Sequence, residues 1–277
     1  MTLLKTTLTI VLLFITSYAT AQNKLTEVVS KTPLSIGETV SIHSKILDEQ
    51  RTLNIYLPYS YSQDSLKTYP VIYLLDGSID EDFIHIAGLV QFGSFSWIDM
   101  LPESIVVGIS NVDRKRDFTY PTTNIKDKAD FPTTGGSKVF IEFLETELQP
   151  FIDKTYRTSP TKTIIGQSLG GLLATEILYK KPQLFDNYII VSPSLWWDDN
   201  SLLKLKAKPY TTDKKIYVGV GKEGAIMERA AKALYETLNS NPSVHTQLYF
   251  GFFEDLNHGD TLHLAVYEAF SLMFKSE

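Results

Sequence analysis

The chain has 277 residues, of which 43% are hydrophobic, 12% aromatic and 21% charged, which is enough apolar material to bury a large core. Its formal charge is −6 and it has no block or stripe of basic residues, so we expect no nucleic-acid partner. Because the chain has no cysteine, it is neither a disulfide scaffold nor a lipoprotein.

The first residues are typical of an export signal. Lys5 precedes a short apolar run that ends in Ala19-Thr20-Ala21, with small residues at the positions a signal peptidase requires. The alternative is a retained membrane anchor, but the apolar run is shorter than the roughly 20 residues that span a bilayer. We therefore predict a signal peptide at 1–21, one folded domain at 22–277, no stable membrane anchor after cleavage, and a periplasmic or secreted location.

The predicted elements alternate between strands and helices. Two strands with alternating polar and apolar residues, 38–47 and 51–58, are expected to form an antiparallel pair. Later apolar or β-branched segments are typical of strands buried on both faces: 70–77, 104–110, 162–168, 187–193, 215–221 and 245–251. The principal helical patterns are 137–156, 169–182, 223–242 and 261–274. This order predicts an α/β fold, with a mostly parallel central sheet, an N-terminal antiparallel pair and helices on both faces.

The segment GQSLGG, residues 166–171, stands between a buried strand and a helix. A sharp strand-to-helix turn requires very small residues two positions before and after its serine, and Gly166 and Gly170 supply them around Ser168. This is the G-x-S-x-G pattern of a nucleophile elbow, in which the Leu169 amide can donate to a developing oxyanion. The alternative is a glycine-rich turn that only helps packing.

A serine nucleophile requires a base, and His258 is the candidate. It lies in the polar loop EDLNHGD, between the last predicted strand and the last helix, and such loops meet the elbow at one edge of the sheet. Four other histidines fall within predicted strands or helices, where a structural or solvated role is expected: His43, His85, His245 and His263.

The acid that orients the base is expected between Ser168 and His258 in the chain. Glu223 follows the strand 215–221 and is the preferred candidate, although an acidic residue is also favoured at a helix N-terminus for its charge alone. Four acidic residues are alternatives: Asp198, Asp199, Glu228 and Asp255.

The oxyanion hole needs a second amide, which the loop after the strand 70–77 can supply. Gly77 would let the backbone approach the substrate, and the Ser78 amide is the predicted donor. Asp76 and Gly77 are further candidates for contact with substrate.

The chain resembles an esterase family of the α/β-hydrolases that includes siderophore trilactone esterases, feruloyl and acetyl-xylan esterases, S-formylglutathione hydrolases and mycolyltransferases. The resemblance runs through most of the chain after residue 21, in these stretches: VIYLLDG (71–77), RKRDFTYP (114–121), 135–158, IIGQSLGGLLA (164–174), VSPSLWWDD (191–199), VGVGKEG (218–224) and NHGD (257–260). The pairing of LLDG with SPSLWW is most similar to the siderophore-esterase branch. A departure is Gln167, where histidine is common.

The resemblance implies roles for particular residues. Ser168, His258 and Glu223 match the catalytic residues, and the Ser78 and Leu169 amides match the oxyanion hole. Some siderophore esterases work with a Ser-His dyad, which leaves the role of Glu223 open. The resemblance gives no sign of a helical lid of the lipase kind.

Three more residues are candidates for substrate binding. The resemblance implies that Trp196, Trp197 or both line the substrate pocket, where an indole can stack on an aryl or sugar ring; core packing is the alternative. Arg114 lies in the charged loop after the strand 104–110, where it can bind a polar acyl or siderophore group or belong to a solvated charge cluster.

The sequence therefore predicts a serine carboxylesterase that acts on a siderophore or aryl ester and needs neither a metal nor an organic cofactor. A feruloyl or acetyl esterase acting on plant or algal polysaccharide is an alternative with the same catalytic residues. A non-catalytic binding protein that retains the fold is an alternative of another class. The sequence does not predict an oligomeric state.

Overall fold

The computed structural model describes residues 28–240 and 243–275, so the predicted signal peptide at 1–21 lies outside the described residues. The chain divides into two units, 1–35 and 36–277. The described part of the first, residues 28–35, contains no helix or strand. The second contains all the elements named below. No helix in the described ranges is long and apolar enough to cross a membrane.

One sheet of eight strands forms the centre of the second unit, in the order β1-β2-β4-β3-β5-β6-β7-β8. β2 pairs antiparallel with β1 and β4, and all other neighbours are parallel, so the predicted α/β class and mixed sheet are confirmed. The strands are β1 Glu38–Ser44, β2 Glu49–Tyr56, β3 Tyr69–Leu74, β4 Ile105–Ile109, β5 Thr158–Gln167, β6 Asn187–Val191, β7 Lys214–Gly221 and β8 Thr246–Phe253.

Helices cover both faces of this sheet. Helices α1 and α8 pack on one apolar face through residues such as Ile86 and Phe270. The residues of α2 and α4–α7 pack on the opposite face, where Phe140 and Leu172 are fully buried. The main helices are α1 Phe83–Gly93, α2 Arg114–Phe118, α3 Ile125–Asp130, α4 Ser137–Phe143, α5 Gln149–Thr155, α6 Leu169–Lys180, α7 Ala225–Ser240 and α8 Thr261–Phe274.

Two predicted elements differ from the structure. The helix predicted at 137–156 is divided by a π-helical turn at Leu144–Leu148, which ends two residues before Pro150. Proline has no N–H to donate and clashes with the carbonyl four residues earlier in a regular helix, so a widened turn accommodates it. β5 begins at Thr158 instead of residue 162, because an irregularity in its pairing with β3 lets the polar residues before Lys162 join the strand.

The sheet topology positions the site. From β3 the chain passes to β4 on one side and then returns to β5 on the other side of β3. Ligands of open α/β sheets bind outside the carboxyl ends of the strands at such a reversal. The loop after β3 and the turn after β5 both lie at this point, and they carry Ser78 and Ser168.

Candidate active site

Ser168 occupies a strained turn between β5 and α6. Its backbone has φ 59° and ψ −119°, a conformation that costs a non-glycine residue free energy and is common at functional sites. A Cβ added at Gly166 would lie 2.4 Å from the Gly170 carbonyl oxygen, so the turn cannot close this tightly with a larger residue there. The turn thus has the tight geometry expected of a nucleophile elbow.

The structure places Glu223 against His258. The Nδ1 of His258 and Oε2 of Glu223 are 2.5 Å apart. The Glu223 side chain is buried, whereas that of His258 is about half exposed. The other carboxylate oxygen, Oε1, accepts hydrogen bonds from the Ser192 hydroxyl, from the Gly221 amide at 2.9 Å and from the Thr261 hydroxyl at 3.4 Å. Every contact of this carboxylate with its neighbours therefore favours the ionised form.

The charge of Glu223 follows from these contacts. Burial raises the pKa of its carboxyl, but the hydrogen bonds from His258, Ser192 and the Gly221 amide outweigh burial and leave the pKa below the usual 4.5. Glu223 is thus an anion at neutral pH and holds a proton on Nδ1 of His258. The Nε2 atom of that imidazole is then free to accept a proton.

The alternative acids make other contacts. Asp198 accepts hydrogen bonds from Thr122 and Thr123; burial raises its pKa, but these and other hydrogen bonds lower it to about 2. Asp199 accepts from Asn124, and Glu228 from the Gly224 amide. None of these three carboxylates is hydrogen-bonded to His258. Asp255 is likewise without a hydrogen bond to that histidine within the described ranges.

Ser168 and His258 line the same pocket, which has a volume of about 510 Å³. The Ser168 hydroxyl lies 3.3 Å from that of Ser194 and is not hydrogen-bonded to His258. Catalytic hydrogen bonds are often long or misaligned until substrate binds, so the lack of a hydrogen bond between Ser168 and His258 is compatible with His258 as the base. Gln167, next to the serine, donates through Nε2 to the His258 carbonyl at 2.6 Å and so connects the histidine loop to the elbow.

Two amides at this edge are available to an oxyanion. In the described part of the chain, neither the Ser78 amide nor the Leu169 amide donates to a protein acceptor. The Leu169 amide is at the first position of α6, where helix geometry leaves it without an acceptor. The loop carrying Ser78 passes so close to β4 that a Cβ on Gly77 would lie 2.3 Å from the Gly108 Cα, which explains the glycine at that position.

Asp76 and Arg114 contact each other. The guanidinium binds the carboxylate through Nε–Oδ1 at 2.6 Å and Nη2–Oδ2 at 2.8 Å, and the same Nη2 lies 3.3 Å from the Gln167 carbonyl oxygen. Asn111 donates to Asp76 at 2.7 Å as well. The pair therefore connects the loop after β3 with the end of β5, directly before the serine.

The two adjacent tryptophans have different environments. Trp196 is half-buried and lines the pocket with Met227, Lys222 and the catalytic candidates. Trp197 is fully buried, and its indole N–H donates to the Tyr120 carbonyl at 2.9 Å. Of the two indoles, only Trp196 reaches the pocket surface. Trp197 packs in the core, which is the alternative reading of that residue.

Sequence reasoning assigned no role to Ser192, Ser194 or Gln167. Ser192 has φ 44°, which turns the chain after β6 and brings its hydroxyl to Glu223. Ser194 donates its amide to the Ser168 carbonyl at 3.0 Å. The motif VSPSLWW contains Ser192 and Ser194, but the motif alone does not indicate what the two serines do. Their roles depend on contacts with Glu223 and Ser168, which lie in other loops.

Comparison with known proteins agrees with this geometry. The sequence profile of the family described as "Putative esterase" matches residues 44–258, which is more than half of the chain. The chain belongs to this family. The Ferri-bacillibactin esterase BesA of Bacillus subtilis is 34% identical over 170 residues, which cover 57% of this chain and 58% of that protein. The chain thus spans less than two thirds of the length of this curated relative.

Solved structures agree with the family and with the fold. An IroE-like serine hydrolase from Shewanella oneidensis is 28% identical, with a TM-score of 0.77, over 86% of this chain and 80% of that chain. The BES protein from Bacillus cereus is 26% identical, also with a TM-score of 0.77, over 92% of this chain and 100% of that one. This chain is similar to both over nearly all the elements described above.

Proposed function

We propose that the protein is a serine carboxylesterase with Ser168 as nucleophile, His258 as base and Glu223 as the acid that orients the base. The observation that carries the proposal is the 2.5 Å hydrogen bond between His258 and a buried carboxylate, in the pocket that also contains the strained Ser168. A buried anion against a histidine beside an elbow serine is the arrangement that acyl transfer requires.

The reaction proceeds in two stages. The Ser168 hydroxyl turns from Ser194 to His258, gives its proton to Nε2 and attacks the ester carbonyl. The Ser78 and Leu169 amides stabilise the oxyanion that forms, because preorganised donors need no rearrangement as charge develops. His258 then protonates the leaving alcohol, and the same histidine activates water to release the acid from Ser168.

The proposed substrate is an aryl or siderophore ester. The indole of Trp196 and the thioether of Met227 line the catalytic pocket, and such surfaces favour a flat ring over a small acetyl group. A relative whose name is ferri-bacillibactin esterase supports the siderophore class. Export through the segment 1–21 is part of the proposal, and cell fractionation with a tagged chain tests it: retention of uncleaved protein in the cytoplasm would contradict export.

A fluorophosphonate probe tests the nucleophile directly. Wild-type protein is expected to be labelled at Ser168, and Ser168→Ala to lose the label and about 10³-fold or more of kcat on p-nitrophenyl esters while remaining folded. Ser194→Ala is the matched control, because its hydroxyl lies 3.3 Å from that of Ser168 in the same pocket, and it should still be labelled. A labelled Ser168→Ala protein, or one that keeps a tenth of the activity, would disprove the assignment.

A substrate panel tests the ester class. It compares ferric catecholate trilactones, methyl ferulate, acetylated xylan and p-nitrophenyl acetate by kcat/KM. Acetylated xylan as the best substrate would contradict the aryl assignment and favour polysaccharide deacetylation. A folded protein that reacts with neither the esters nor the probe would favour a binding protein that retains the fold.

A further inference from the structure

A second pocket adjoins the catalytic one and shares Trp196 with it. Its volume is about 430 Å³, compared with about 510 Å³ for the catalytic pocket. It opens between the chain after Trp196 and helix α7, and its lining includes Leu203, Ile226, Arg229, Ala230 and Ala233. None of the assigned catalytic residues lines this second pocket.

The helix contributes one apolar stripe to the second pocket. Ile226, Ala230 and Ala233 follow one another at spacings of four and three residues, so they lie on the same face of α7. Ala230 lines the pocket although it is buried, and Ile226 is 62% exposed. An apolar side chain with this much contact with water gains free energy when a ligand covers it. The pocket wall therefore suits a flat apolar group.

The positively charged side chain of Arg229 lies on the same face of α7 as this apolar stripe. Arg229 precedes Ala230 and lines the second pocket, and no acidic residue lines it. Within residues 28–240 and 243–275, Arg229 makes no ion pair, hydrogen bond or ring contact. The other four arginines of the chain, Arg51, Arg114, Arg116 and Arg157, each bind a carboxylate or a backbone carbonyl. Arg229 is thus the arginine left available to an anion from outside the chain.

We propose that the second pocket binds an aryl group that bears an anionic oxygen, on an arm of the same ester whose scissile carbonyl lies at Ser168. The ring would pack against Trp196 and the apolar stripe of α7, and the anion would pair with the Arg229 guanidinium, whose planar fork suits a carboxylate. This inference rests on the proposed esterase function and adds to it a substrate with at least two aryl arms, one on each side of Trp196.

The test uses two synthetic esters that differ only in the distal ring. One carries a para-carboxylate and the other the neutral para-carboxamide; the scissile ester and leaving group are identical. Wild-type protein is expected to show a higher kcat/KM for the carboxylate, and Arg229→Gln to lower the ratio of the two values by about threefold to fivefold, the range of a solvent-exposed ion pair. Arg229→Lys, which keeps the charge, should retain part of the preference.

Lys232→Gln is the matched control, because it removes one positive charge from an exposed site on the same helix, where Lys232 lies 3.8 Å from Glu236. This variant should leave the ratio unchanged. If Arg229→Gln leaves the ratio unchanged, or if Lys232→Gln lowers it equally, the second pocket does not bind the anion.

Calorimetry separates this inference from the proposed function. The carboxylate ester is titrated into Ser168→Ala protein, which cannot turn it over, and into the Ser168→Ala, Arg229→Gln double variant. Binding weakened by about threefold or more in the double variant supports the second pocket even if hydrolysis fails. Equal binding overturns the second pocket even if wild-type protein proves to be an esterase.

Discussion

Replacement of Glu223 by glutamine tests the catalytic arrangement most sharply, because the contacts of Glu223 determine how the new amide would lie. The three groups that contact Oε1 all donate hydrogen bonds: the Ser192 hydroxyl, the Gly221 amide and the Thr261 hydroxyl. The glutamine carbonyl oxygen must therefore stay on that side. Its NH2 group then points at Nδ1 of His258, the atom that Oε2 contacts at 2.5 Å in the native protein.

An amide donor at Nδ1 favours the wrong tautomer of the histidine. Nδ1 must accept from the amide, so the proton moves to Nε2, which can no longer take a proton from Ser168. A loss of this kind costs roughly 10³–10⁴ in kcat, or about 4–5.5 kcal/mol in the activation free energy. The KM should change little, since the Glu223 side chain is buried and protein groups already contact both of its carboxylate oxygens.

The assay is steady-state hydrolysis of a p-nitrophenyl ester, with the rate of fluorophosphonate labelling as a second measure. Asp198→Asn is the control, because Asp198 follows the neighbouring strand but contacts Thr122 and Thr123 instead of His258, and it should keep most of the kcat. If Glu223→Gln keeps a tenth of the wild-type kcat, a Ser-His dyad is the better mechanism. If Asp198→Asn costs more than Glu223→Gln, the acid is misassigned.

Three further outcomes are expected. Trp196→Ala should reduce the preference for aryl over acetyl esters by about threefold to tenfold, the value of ring stacking, and an unchanged preference in kcat/KM would contradict a stacking role. Gln167→Ala removes the 2.6 Å hydrogen bond to the His258 carbonyl and should lower kcat by about threefold to tenfold with KM unchanged. Gln167→His restores a donor and should recover part of the lost kcat. A change in KM alone would argue against a positioning role. Burial and neighbouring acidic groups raise the pKa of Asp82 from 3.8 to about 6, so the folded state binds more protons between these values and stability is lost as the pH rises through them. Because solvent partly screens this carboxyl, Asp82→Asn should raise the free energy of unfolding by about 1–2 kcal/mol at pH 8 and by little at pH 4, as urea denaturation at the two pH values would measure. An equal effect at both pH values would contradict the raised pKa.

The local sequence pattern alone predicts the turn at Ser168 and most of the strands of the sheet. The glycines around Ser168 predict the strained turn because its steric demand falls within five consecutive residues. The apolar runs predict the strands from β3 to β8, since a strand buried on both faces needs apolar or β-branched residues throughout, and alternating polar and apolar residues predict β1 and β2. The predicted start of β5 was wrong because the first residues of this strand are polar and pair irregularly with β3, and hydrophobic periodicity does not reveal such a pairing.

Only the tertiary structure decided which side chains meet. Glu223 and Asp198 both follow parallel strands, so the sequence prefers Glu223 but leaves Asp198 as an alternative. Of the two, only Glu223 is hydrogen-bonded to His258, because β7 is the strand beside β8, which leads into the histidine loop. Trp196 and Trp197 are neighbours in sequence, yet one lines the pocket and the other is buried against Tyr120, since adjacent residues in a turn point in different directions. Contacts between distant loops depend on how the whole chain packs, and the sequence of either loop alone does not contain that information.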